Sequence, residues 1–162
     1  MPKKILGIDP GIADTGYGVV REDKGRLSCL AYGSIKTAAG LDLSDRLLEM
    51  AEELEKVIKK YRPEAVAVEQ LFFNKNVRTA LIVGQARGAA LLVLRRHGLR
   101  VVDLSPSQVK QAVASYGRAD KKQVQKMVKF ILGLKDLPQP DDAADALAIA
   151  IGALNSSLWQ KK

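Results

Sequence analysis

A chain of 162 residues, 47% hydrophobic and 27% charged, is long enough to bury a core and too apolar to remain disordered. Its one cysteine, Cys29, excludes an intrachain disulfide, and with no export signal at the N-terminus this predicts a cytoplasmic location. The formal net charge of +8 points to a polyanionic partner; no run of bilayer length and no basic helix with large apolar anchors is evident, which speaks against a membrane and leaves nucleic acid.

The segment KKILGID is apolar and stops at Pro10-Gly11, so it reads as a strand ending in a turn. TGYGVVRED and LSCLAYGSIKT read as two further strands joined through Lys24-Gly25, an antiparallel hairpin. From Leu43 to Tyr61 the apolar positions Leu47, Leu48, Ala51, Leu54, Val57 and Ile58 recur at helical spacing. EAVAVEQ is short, continuous and β-branched, as a buried central strand is. A second helix is predicted over Val77–Arg96, with His97 as its C-terminal residue and Gly98 just beyond. LRVVDL is a fifth strand, and SPSQ opens a helix with Ser105 as cap, Pro106 first and Gln108 in the capping-box place. A helix follows from about Asp120 to Leu132. Pro138 and Pro140 break the chain before the last helix, Asp141 to about Leu154, which Asp141 is expected to cap. Hairpins followed by strand–helix–strand crossovers predict one α/β domain over residues 1–162, a mixed five-stranded sheet flanked by helices.

Four acids stand out. Asp9 ends the first strand and Glu69 ends the most buried one, so the two can lie side by side at one sheet edge, where open α/β sheets bind ligands. Asp142 or Asp141, with Asp145, begins the last helix one turn apart and can close a cluster over that edge. Such a group is costly unless cations sit within it. Hard divalent ions want these oxygen donors, and two of them suit in-line phosphodiester hydrolysis. No His–Cys pattern suggests zinc. Each acid also has a plainer use: Asp9 suits a turn before Pro-Gly, and Asp142 and Asp145 suit a helix N-terminus.

GIDPGIADTGYGVV (7–20), AVEQLFFNKN (67–76), GQARGAAL (84–91), SQVKQAV (107–113) and DDAADALAIA (141–150) together resemble the RuvC family, the bacterial Holliday-junction resolvases, in the family's own order and over almost the whole chain. The resemblance implies a ribonuclease H-like fold and a homodimeric, magnesium-dependent endonuclease that nicks two strands of a four-way DNA junction symmetrically. It implies two Mg2+ per site, with Mn2+ able to substitute, and a branch-migration helicase complex of RuvA and RuvB as partner. By the motif match, the acidic tetrad is Asp9, Glu69, Asp142 and Asp145, which leaves Asp141 as cap. Lys110 and Lys121 match lysines needed near the scissile phosphate, and Phe72 an aromatic that contacts bases at the junction centre. Phe73, Lys75, Arg78, Arg118, Lys122, Lys126 and Lys129 are expected to add DNA contacts, mostly sequence-neutral. The resemblance also implies that the second helix lies at the dimer interface; its small residues Gly84, Ala86, Gly88, Ala89 and Ala90 allow close helix approach there, and packing on the sheet is the plainer use for them. A catalytically silent junction binder, a nucleotide-dependent phosphotransferase and a nuclease for RNA–DNA hybrids are the competing readings. The four acids count against the first, and a length too short for two nucleotide-clasping domains counts against the second.

Overall fold

The structure is a computed structural model and describes residues 2–70 and 76–156. Its elements, in chain order, are β1 (Lys3–Asp9), β2 (Asp14–Asp23), β3 (Arg26–Lys36), α1 (Leu43–Tyr61), β4 (Ala65–Glu69), α2 (Val77–Arg96), β5 (Arg100–Leu104), α3 (Pro106–Ala114), α4 (Lys121–Leu132) and α5 (Asp141–Leu154). The five strands form one sheet in the order β3-β2-β1-β4-β5. β1, β2 and β3 pair antiparallel, while β4 and β5 continue parallel to β1. This is the mixed sheet that the strand order predicts. The β2–β3 turn places Lys24 and Gly25 at φ 52° and 82°, the two positive values that a tight hairpin needs.

Side chains alternate across each strand, and the two faces bury separate cores. Leu6, Ile8, Val19, Val66 and Val68 face α1 and α2. Ile5, Val20, Ala67, Val102 and Leu104 face α3, α4 and α5. By that alternation Gly7 and Asp9 lie on the α5 face of β1, and Glu69 on the same face of β4. The glycines let α5 come very near: a Cβ on Gly7 would stand 1.9 Å from the Ala146 carbonyl oxygen, and one on Gly16 2.0 Å from that of Asp142. α5 is correspondingly thin, mostly alanine where it meets the sheet, and buried from Ala143 through Ala153 apart from Asp145.

Two expectations change. The N-cap of α5 is Pro140 and not Asp141; the Pro140 carbonyl accepts from the Ala143 and Ala144 amides at 3.0 and 3.2 Å, so the helix begins one residue early and the Asp141 side chain caps nothing. α2 is, by its 20 residues and mean hydropathy of 1.4, long and apolar enough to cross a membrane, contrary to the absence of such a run. Arg87 interrupts its apolar residues, which hides the run from a search for unbroken ones. In the fold Ala86, Ala90, Val93 and Leu94 of α2 are buried, and Arg87 pairs with Asp103 of β5.

Candidate metal centre and its basic rim

Asp9 and Glu69 end neighbouring parallel strands, Ile8 being level with Val68. Asp9 is also level with Gly16 of β2, over which the Asp142 main chain lies. One helical turn on, Asp145 shares the Asp142 face. Asp9, Asp142 and Asp145 each bring a carboxylate oxygen within 4.8 Å of the others. Glu69 stands outside that trio, beside Asp145 and Lys110. The turn after Asp9 is held by Thr15, fully buried, whose hydroxyl donates to the Gly11 carbonyl at 2.7 Å and accepts from the Gly11 amide at 3.4 Å.

The cluster is electrostatically tense. Burial, then the charges of Asp145, Asp142 and Glu69, push the Asp9 carboxyl up to about 8. Burial likewise raises Asp142, Asp145 and Glu69 above the ordinary carboxylate range, with neighbouring acids adding to it and Lys121 or Lys110 opposing it. Such crowding of carboxylates is what a divalent cation would relieve. The donors are all hard carboxylate oxygens, which fits magnesium or manganese and not a zinc site.

Cations rim the cluster. The Lys121 ammonium lies 3.2 Å from Asp141 and 3.8 Å from Asp145. Partial burial works against its charge, but these acids keep its proton affinity above the usual lysine range. Lys110, Lys121, Glu69 and Asp145 line a cleft of about 290 Å³ between α3, α4 and α5. Asp141 also accepts from the Gln125 amide at 3.2 Å, so its work is to tie α4 to α5 and to hold Lys121.

The outer contacts are spread more widely. Arg78, Arg118, Lys122 and Lys126 are exposed and Lys129 half-exposed, none of them bonded to the acid cluster. Phe72, Phe73 and Lys75 lie outside the described residues. On α2, Ala86 and Ala90 turn to the core while Gly88 meets open space, so its small residues serve two faces. His97 ends α2 as expected and bonds Glu55 of α1 at 2.9 Å. One acid escaped the sequence reading: Asp14, held by the Ser34 hydroxyl at 3.0 Å, adds its charge to the field at Asp142. Its signal was its place level with the end of β3, which needs the hairpin register.

Comparison with known proteins agrees with this geometry. The family model described as crossover junction endodeoxyribonuclease RuvC matches residues 5–153. The chain is 55% identical to the crossover junction endodeoxyribonuclease RuvC of Ruminiclostridium cellulolyticum, over 94% of this chain and 92% of that one. It is 56% identical to the protein of that name from Heliobacterium modesticaldum, over 96% of each. Among solved structures, T. thermophilus RuvC in complex with a Holliday junction substrate superimposes with a TM-score of 0.92 and 38% identity, covering 98% of this chain and 96% of that one. The yeast mitochondrial Holliday junction resolvase Ydc2, at 15% identity and a TM-score of 0.72 over 98% and 81% of the two chains, shares the fold.

Proposed function

The chain belongs to the RuvC family of crossover junction endodeoxyribonucleases, and from that premise we propose that it resolves four-way DNA junctions by nicking two strands symmetrically at the acid cluster, with Mg2+ bound there. The observation that carries the chemistry is the meeting of Asp9, Asp142 and Asp145 within 4.8 Å on the carboxyl edge of the sheet. Asp9, Glu69, Asp142 and Asp145 are the four acids assigned to catalysis, and their combined charge matches two divalent ions. Those ions, when bound, supply the positive charge that favours the attacking water and the leaving oxygen in an in-line displacement. The chain itself positions the DNA. Lys110 and Lys121 line the cleft beside Glu69 and Asp145 and give the scissile phosphate two compact cations. Asp141 keeps Lys121 at that rim. Mn2+ offers similar oxygen preferences and is expected to substitute.

A symmetric product requires two sites, and we infer a homodimer built on α2. Val77, Leu81 and Leu92 are 69%, 59% and 63% exposed and recur on one stripe of that helix. Phe72 and Phe73 are assigned to bases at the junction centre, and Lys75, Arg78, Arg118, Lys122 and Lys126 to its phosphates. RuvA and RuvB, as a branch-migration complex, are the partners that would deliver the junction. A cytoplasmic location accords with such a substrate.

The test uses an end-labelled immobile four-way junction and a linear duplex of the same sequence, each with magnesium or with chelator. Paired nicks at equivalent positions of opposing strands, in the junction and with metal only, are expected. Nicking of the linear duplex at a similar rate would refute junction selectivity, and nicking in chelator would refute the metal.

A further inference from the structure

The loop that follows Asp9 is tied down from the side away from α5. Thr37, one residue beyond β3, donates its hydroxyl to the Ile12 carbonyl, and its amide donates to the Ala13 carbonyl at 3.1 Å. Arg46, closing the first turn of α1, donates Nε–H to the same Thr37 hydroxyl at 3.0 Å. That bond spends one of the five N–H donors of the guanidinium and fixes its orientation. The Nη pair enters no ion pair among the described residues, although Asp42, Asp45 and Glu49 are within a turn of it on the chain. Arg46 is half-buried, so a cation is held in a set pose with its fork unspent.

Its place in the fold is specific. Asp9 is level with Gly16, and Gly16 with Ser34, three residues before Thr37. Two strand spacings across and three residues along put Thr37 roughly 14 Å from Asp9. That span is on the order of four nucleotides of one DNA strand. α1 also covers the sheet face opposite α5, whereas Lys110 and Lys121 stand on the α5 side. The acids therefore have cations on both sides.

We propose that Arg46 is a preset phosphate clamp, its Nη pair gripping a backbone phosphate of the DNA a few nucleotides from the one that is cut, on the side away from Lys110 and Lys121. Arginine suits the role because its planar fork meets a phosphate through two parallel hydrogen bonds. The competing role is a brace that only holds the loop after Asp9. The inference rests on the reading of this chain as a junction nuclease.

The experiment compares the full-length protein with R46Q and R46K. Junction affinity is measured in chelator from 50 to 200 mM salt, and single-turnover nicking is measured in magnesium at saturating junction. R46Q is expected to bind at least about fivefold more weakly and to flatten the slope of log affinity against log salt by about 0.9, one phosphate. R46K is expected to keep the slope, since it keeps the charge, yet bind several-fold more weakly without the fork. Both are expected to nick within about threefold of the parent rate once saturated, the mark of a contact that acts on binding. Thermal unfolding checks each variant, and R46K alone carries the test if R46Q does not fold. Parent-like affinity in either folded variant overturns the clamp. So does a parent-like slope in R46Q with nicking down tenfold or more, which is the brace. A parent protein that neither prefers the junction nor nicks it would instead bring down the nuclease reading, a result visible before either variant is compared.

Discussion

Replacing Gly16 by alanine puts a methyl group where the main chain of Asp142 already lies. The new Cβ would stand 2.0 Å from the Asp142 carbonyl oxygen, 2.3 Å from its carbonyl carbon and 2.9 Å from its Cβ. Ordinary contact begins near 3.4 Å, so β2 and the start of α5 must part by about 1.4 Å. No side chain can yield instead, because the nearest atoms are backbone. Gly16 is level with Asp9, so the displacement opens the gap between Asp9 and Asp142 directly. A misplacement of about 1 Å at a reacting centre can cost on the order of 100-fold in rate. Overpacking of this kind costs about 1–3 kcal/mol of stability, which for a domain of this size lowers the melting temperature by very roughly 2–10 °C. The assay is single-turnover nicking of the four-way junction in magnesium, with calorimetry on the same samples. Gly40→Ala is the control, since a Cβ there meets nothing within 4 Å. Expected for Gly16→Ala are a folded protein, junction affinity within a few-fold of the parent, and nicking slower by about 100-fold. A folded Gly16→Ala protein that nicks at the parent rate would refute the idea that the approach of α5 to β2 sets the geometry of the acids.

The pH dependence of the metal-free protein follows from Asp9. Its carboxyl is raised from 3.8 to about 8, so the folded state holds a proton that the unfolded chain gives up above about pH 4. Stability in chelator should therefore fall as pH rises from 4 to 8, by at most about 1.4 kcal/mol per pH unit for this one proton. Asp9→Asn should flatten that decline in urea titrations at pH 5, 6, 7 and 8, and parallel curves would defeat the assignment. Asp141→Asn keeps an acceptor for Gln125 but loses the charge that holds Lys121, so nicking should slow by a few-fold while Lys121→Gln, with no cation at the rim, should slow it by about 100-fold or more. Equal rates for those two variants would count against a direct role for Lys121. Finally, Leu81→Glu with Leu92→Glu on the exposed stripe of α2 should halve the mass seen in sedimentation, and an unchanged mass would move the dimer contact elsewhere.

Much of the fold is local and so could be read from the chain. Ser105 and Gln108 make the capping box that SPSQ announces, and α2 runs from Val77 to Arg96, the bounds expected of it. Asp9 and Glu69 could be paired because each ends an apolar strand, and a parallel register brings such ends together. Asp141 departs from expectation because a carboxylate at a helix start usually caps. Here Pro140, whose lack of an amide is no loss at that position, takes the cap place first. The glycines of β1 and β2 were visible in GIDPGIADTGYG, but their use was not. What they accommodate is a helix more than a hundred residues later. The same holds for Arg46, Thr37 and Ile12, joined only once β3 has turned into α1 beside the loop after Asp9.

Those glycines also explain how a basic protein can keep repelling acids at the mouth of its core. A carboxylate cluster of this kind would push its helix off the sheet if the helix were held only at its first turn. α5 is instead held along its length by a nearly continuous apolar surface, from Ala143 to Ala153, lying in a trough with no side chains at Gly7 and Gly16. The burial of that surface is non-directional and insensitive to charge. It holds Asp142 and Asp145 beside Asp9, and their crowding shows as the raised proton affinity of Asp9. On the proposed function, a divalent ion entering this cluster would displace the proton that Asp9 holds. On the same reading, the surrounding lysines and arginines answer a separate demand, holding DNA phosphates against acids that would repel them. Exchanging a lysine away from the cleft, such as Lys126, should change affinity and its salt dependence, whereas exchanging one trough glycine should change rate.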